Sequence, residues 1–298
     1  MDAHVTARAR AADGWRALRA FFTEGARHLP EAIAAFEEAE RLLRRPEADA
    51  GRPVAGRQGI EAGGDAEGVL IGLSIALRLR RRPEDVRRAV VLVQELLNIV
   101  RRRSGEAAAV ALRAYLEDAY RDLAEVTEDG EAARAAQDGI AACDRTLALA
   151  RRFHADDAVA HARATKALLL RRLAAAQPGG DAPALLREAN RLTAAALAGW
   201  PARDAEGLAA FRADVAESLV EGARPRPSAA DRAEGLLRQA ERAVPGENRY
   251  LAARVARARA RVALAADRPD ALDAVTAAAA AFRDLGLTRE AEEVEHWL

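Results

Sequence analysis

Three residues near the middle of the chain, His154, Asp157 and His161, stand three and four positions apart. On a running helix that spacing puts all three on one face, and two imidazoles with a carboxylate make a donor set for a divalent metal. A second reading has the helix begin after His154, with Asp156 or Asp157 as its N-cap. His154 then points elsewhere and His161 is merely half-buried. Arg254, Arg257 and Arg261, with Arg259 close by, repeat the helical spacing further on. Such a stripe could grip the carboxylate of a peptide terminus or an acidic segment. It also fits a solvated face whose arginine stems cover apolar neighbours.

Other chemistry finds little support. Cys143 stands among apolar residues at helical spacing (Ile140, Leu147) and reads as a small core residue rather than a nucleophile. Lys166 lacks the glycine-rich turn of a phosphate-binding loop, and the glycines between Gly51 and Gly64 follow no strand pattern. The paired carboxylates Glu37/Glu38, Asp156/Asp157 and Glu292/Glu293 lie in polar surroundings that would not raise a pKa. Arg101, Arg102 and Arg103 suit a helix C-terminus. The chain is not expected to be an enzyme, and no cofactor is expected.

The elements that must position these residues read as helices. The pattern predicts a helix over 6–27, a turn at 28–30 and a helix over 31–45, then a long Gly- and Pro-rich loop over 46–65, taken as a mobile insertion rather than a binding loop. Further helices are expected over 66–81, 84–102, 106–126, 130–152, 156–176, 182–198, 205–222, 229–244, 247–266 and 270–285, with a last short one capped by Thr288. The fold class expected is all-α, an α-solenoid of about six antiparallel hairpins and a C-terminal capping helix. Its divisions are an N-terminal hairpin (1–45), the loop (46–65) and continuing repeats (66–298).

A small–large–small triplet at spacing four and three recurs in the second helix of most pairs: Ala32/Phe36/Ala39, Ala136/Ile140/Cys143, Ala233/Leu237/Ala240 and Ala271/Val275/Ala278, with Ala89/Val93/Leu96 a looser copy. The 182–198 segment matches poorly. Small residues let a partner helix approach while the large one fills its groove.

Composition narrows the classes. The 298 residues can bury a substantial core without disulfides, and the single cysteine cannot form one within the chain. There are 46 basic and 46 acidic residues, so a nucleic-acid partner is not expected. Lys166 is the only lysine, a bias attributable to GC-rich codon usage. The longest apolar run, Val69 to Leu77, is too short for a bilayer, and no secretory leader is visible, so no membrane association and a cytoplasmic location are expected.

The first hairpin resembles a tetratricopeptide repeat: Trp15, Leu18 and Phe22 follow that family's first-helix pattern, Ala32, Phe36 and Ala39 its second, and Pro46 its closing proline. Arg19 replaces the usual glycine, the turn is one residue longer, and the later repeats run to the forties or fifties where the family has about 34 residues. Long, degenerate repeats of this kind are similar to arrays in high-GC bacteria that accompany caspase-like proteases or signalling NTPases. The resemblance implies a scaffold or adaptor binding a protein or peptide along its concave face. The competing functions are a regulatory or sensor subunit for a separately encoded effector and an all-helical small-ligand binder, which would need a deep pocket with converging polar groups. Neither the partner nor the oligomeric state follows from the sequence.

Overall fold

A computed structural model describes residues 3–44, 64–177, 181–220 and 227–298. These residues form thirteen α-helices: α1 (Ala3–Glu24), α2 (Leu29–Leu43), α3 (Gly64–Leu79), α4 (Pro83–Val110), α5 (Arg113–Val126), α6 (Asp129–Phe153), α7 (Asp156–Ala176), α8 (Ala182–Gly199), α9 (Ala205–Leu219), α10 (Pro227–Ala243), α11 (Arg249–Ala265), α12 (Ala271–Asp284) and α13 (Thr288–Glu295). No strand occurs among the described residues. The protein is all-α, and its helices pack mostly as sequential antiparallel pairs.

Helix ends follow local chemistry. Pro30 sits in the first turn of α2, where a missing N–H costs nothing. Asp204 and Asn248 cap α9 and α11 by accepting from the N–H groups of Gly207 and Leu251, each at 2.9 Å. Most ends lie one to three residues from expectation, and Leu287 rather than Thr288 is the N-cap of α13. Two differences have a clear backbone cause. The first helix ends at Glu24, and a short 3-10 turn at Ala26–His28 leads into α2. The helix expected from residue 106 begins instead at Arg113, because α4 continues beyond a kink at Gly105 (φ 83°) to Val110. The expected loop at 46–65 falls, up to residue 63, outside the described residues.

The triplets form the buried faces. Ala32, Phe36 and Ala39 are fully buried, as are Ala233, Leu237 and Ala240. Trp15 meets the Phe36 ring edge-on at 5.5 Å. Gly14 and Gly72 press on the same ring, where any Cβ would overlap it, so α1 and α3 close on Phe36 from two sides. Phe21 is the fully buried aromatic of α1, whereas Phe22 is only half-buried.

The odd-numbered helices α1 to α11 form an inner layer in which each packs on the next, and their even-numbered partners, α2 to α12, lie outside. The row closes on itself, for α11 also packs against α1. At this seam the Ala26 N–H donates to the Leu285 carbonyl at 2.5 Å, and the rings of Phe21 and Tyr250 lie 5.1 Å apart. Gly25 makes the approach possible: its φ of 105° disfavours any side chain, and a Cβ there would overlap the Leu285 carbonyl. One apolar core therefore contains residues of both ends, from Ala7 to Val294. The contacts α1–α3–α5–α7–α9–α11–α1 therefore form a closed circuit.

Candidate functional site

The inner helices turn charged residues toward one another. Arg78 of α3 donates through Nε to Asp122 of α5 at 2.6 Å and approaches Asp118 at 3.4 Å. Arg81, just after α3, meets Glu125 at 3.3 Å. Across the ring, Arg254 and Arg257 of α11 reach Asp214 and Glu217 of α9 at 2.6 and 3.1 Å. Arg121 joins the two halves, lying 3.0 Å from Asp122 and 3.8 Å from Asp214. Burial opposes the charge on Arg78, but Asp122 and Asp118 outweigh it and hold the guanidinium above its ordinary pKa. Asp214 does the same for Arg254.

Between these helices lie two adjoining chambers of about 100 and 270 Å³, with Arg81, Glu125 and Arg257 in both walls. The smaller has apolar walls at Ile75, Leu79, Tyr250 and Phe282. The larger is edged by Trp297. Together the walls carry eight arginines against five carboxylates. The chain as a whole has no net charge, so this excess is local.

All three arginines of the expected stripe are on the cavity wall. Two are held by acidic partners of the neighbouring helix, and the third, Arg261, lies over the Trp297 ring at 4.8 Å. Arg259 faces the other way, to Glu241 of α10 at 2.6 Å. Two of the three arginines of the stripe are thus ion-paired within the fold.

His154, Asp157 and His161 border a separate open depression but do not converge. His154 is the left-handed residue (φ 55°) that ends α6, Asp157 pairs with Arg203, and the His161 ring nitrogen lies 3.4 Å from Asp118. No group of three or more His, Cys, Asp or Glu side chains among the described residues is arranged to hold a metal. A helix starting after His154 matches this geometry, although Ala155 rather than an aspartate occupies the N-cap. Cys143 is fully buried, and burial pushes its thiol well above the usual range.

Sequence reading missed the other charged residues of the cavity wall: Arg78, Arg81, Arg121, Asp122, Glu125, Arg171, Arg172, Asp214, Glu217 and Glu290. A signal existed. Arg78/Asp122 and Arg81/Glu125 are each 44 residues apart, and Asp214/Arg254 and Glu217/Arg257 each 40. These intervals are one hairpin long, and Arg87/Glu131 on α4 and α6 share the 44-residue interval, so the spacing marks neighbouring hairpins but does not single out the inner face. Also missed was Glu117, fully buried behind α5, where neither carboxylate oxygen has a hydrogen-bond partner. Burial raises its pKa to about 7 despite the nearby His161.

No helix among the described residues is long and apolar enough to cross a membrane. No protein-family model matches the chain, and no curated protein matches it with significance.

Proposed function

We propose that the chain is a non-catalytic binding module, a TPR-like row of hairpins bent into a ring, that accepts an anionic portion of a protein or peptide partner at its inner cavity. The observation that carries this reading is the surplus of arginines on the cavity wall of an otherwise neutral chain. Desolvated guanidinium groups held by a rigid frame bind oxyanions with fixed geometry. The small volume of the chambers favours a second reading, a small anionic ligand, because convergent polar groups in a concave site suit small molecules. A sensor role beside a separately encoded effector would use the same cavity.

The test is a panel of short Asp/Glu-rich peptides and their Lys/Arg-rich counterparts, titrated against the protein at low and physiological salt. Acidic peptides should bind preferentially and weaken as salt rises. Equal binding of both panels, or binding undiminished by Arg172→Gln with Arg261→Gln, would contradict the reading.

A further inference from the structure

The charges of the inner wall are not all accounted for by one another. Arg78, Arg81, Arg121, Arg254 and Arg257 each pair with a carboxylate. Arg172 and Arg261, on α7 and α11, have none among the described residues. Arg172 donates its Nε–H to the Ala124 carbonyl at 3.0 Å, one of the acceptors left open at the end of α5. That bond leaves its terminal nitrogens available. Arg261 offers its guanidinium face to Trp297, a contact that engages none of its N–H groups. Arg257 uses a terminal nitrogen on Glu217, yet its buried Nε–H meets no acceptor. A buried donor left unmade carries the full cost of its desolvation, so it calls for an explanation. All three arginines border the same chamber of about 270 Å³.

We propose that this chamber binds a phosphomonoester group, held by Arg172, Arg257 and Arg261 beside Trp297. The inference rests on the reading of the cavity as an anion site and names the anion. Donors from three guanidiniums on two helices exceed what the two oxygens of a carboxylate can accept. A phosphomonoester supplies three terminal acceptor oxygens and nearly two charges at neutral pH. The chamber is too small for a folded segment and admits a small phosphorylated molecule or one phosphorylated side chain. Both sources offer the same chemistry.

The test uses the full chain at constant ionic strength. Inorganic phosphate and phenyl phosphate are titrated by calorimetry and by thermal melting, with chloride and acetate at matched strength as controls. A phosphoserine peptide and its unphosphorylated twin separate the two sources. Phosphate and phenyl phosphate should raise the melting temperature where chloride and acetate do not. Arg261→Gln should weaken binding by about tenfold. Arg261→Lys keeps the charge but loses the planar fork, and should weaken it by a smaller factor. Each variant's own melt without ligand reports whether it folds. Tighter binding of the phosphoserine peptide than of phenyl phosphate assigns the site to modified protein, and the reverse order to a small molecule. If acidic unphosphorylated peptides bind and phosphate neither binds nor competes, the phosphoryl assignment is overturned while the anion-cavity reading stands. If neither acidic peptides nor phosphate bind, the cavity reading itself fails.

Discussion

Glu117 and Asp118 are neighbours on α5, and the two faces of that helix treat them in opposite ways. Asp118 faces the arginines of the inner helices, behind the cavity wall. Burial disfavours its charge, but Arg121, His161 and Arg78 surround it and hold its carboxyl well below the usual range. Glu117 faces the outer layer. Arg113 lies on its own helix, Thr146 and Cys143 come from α6, and His161 from α7. The Arg113 Nε–H is spent on the Thr146 hydroxyl at 2.9 Å, and that hydroxyl donates to the Ala142 carbonyl. Burial outweighs the help of His161, Thr146 and Arg113, and the Glu117 pKa rises to about 7. One residue of offset, about a quarter of a helical turn, thus separates a carboxylate locked in the charged state from one poised to be neutral. Burial alone does not decide the charge of an inner helix; the arginines of the neighbouring helices do.

The largest expected effect is on the cavity side. Arg121→Ala leaves Asp118 and Asp122 short of their common partner and should cost about 3–4 kcal/mol in urea unfolding, as for other broken buried pairs. A loss below about 1 kcal/mol would mean that the cavity carboxylates are solvated as surface groups are.

On the outer side the sign reverses. Glu117 titrates near 7 when folded and near 4.5 when unfolded, so between those values the folded chain holds a proton that the unfolded chain has lost. Stability should therefore fall as pH rises from about 4.5 to about 7 and stay low above it. Glu117→Gln removes that slope. The variant should match the parent near pH 4 and exceed it by about 2–3 kcal/mol at pH 8. Denaturation curves at the two pH values check this, and a parallel pH profile for both proteins would contradict it.

His161 gives a smaller effect of the same sign at higher pH. Burial lowers its pKa, but Asp118 more than compensates and the net shift is upward. Its pairing contributes fully below the unfolded value of 6.5 and is lost as pH rises through the higher folded value. His161→Gln should cost about 1 kcal/mol at pH 5.5 and almost nothing at pH 9. The smallest perturbation is chemical. Cys143, buried behind the same helix, should resist thiol reagents at pH 8 until the protein unfolds. Rapid labelling of native protein would show that this side of α5 is open.

Helix identity and pairing were legible in the sequence because small–large–small triplets and Pro/Gly punctuation are local signals. The buried Phe36 and Leu237 lie where those triplets place them. Ring closure was not legible, since it depends on Gly25 meeting Leu285, two residues with no pattern linking them along 260 positions of chain. The cavity was half legible. Helical spacing gathered Arg254, Arg257 and Arg261 on one face, but their acidic partners lie a whole hairpin away and belong to a period that only the folded ring makes plain. The metal constellation failed for a local reason. His154 adopts a left-handed conformation that breaks the helix the spacing assumed.

The central claim is that the row of hairpins closes, since an open row would splay the inner charges apart. Nitroxide labels at Arg27→Cys and Asp284→Cys, in a Cys143→Ala background, place one probe on each side of the seam. With Ala26 bonded directly to Leu285, double electron–electron resonance should give a single narrow distribution at about 20 Å or less, allowing for the adjoining residues and label arms. Six hairpins in an open row would separate the same positions by about 40–50 Å, five spacings between helices, and that result would contradict the account.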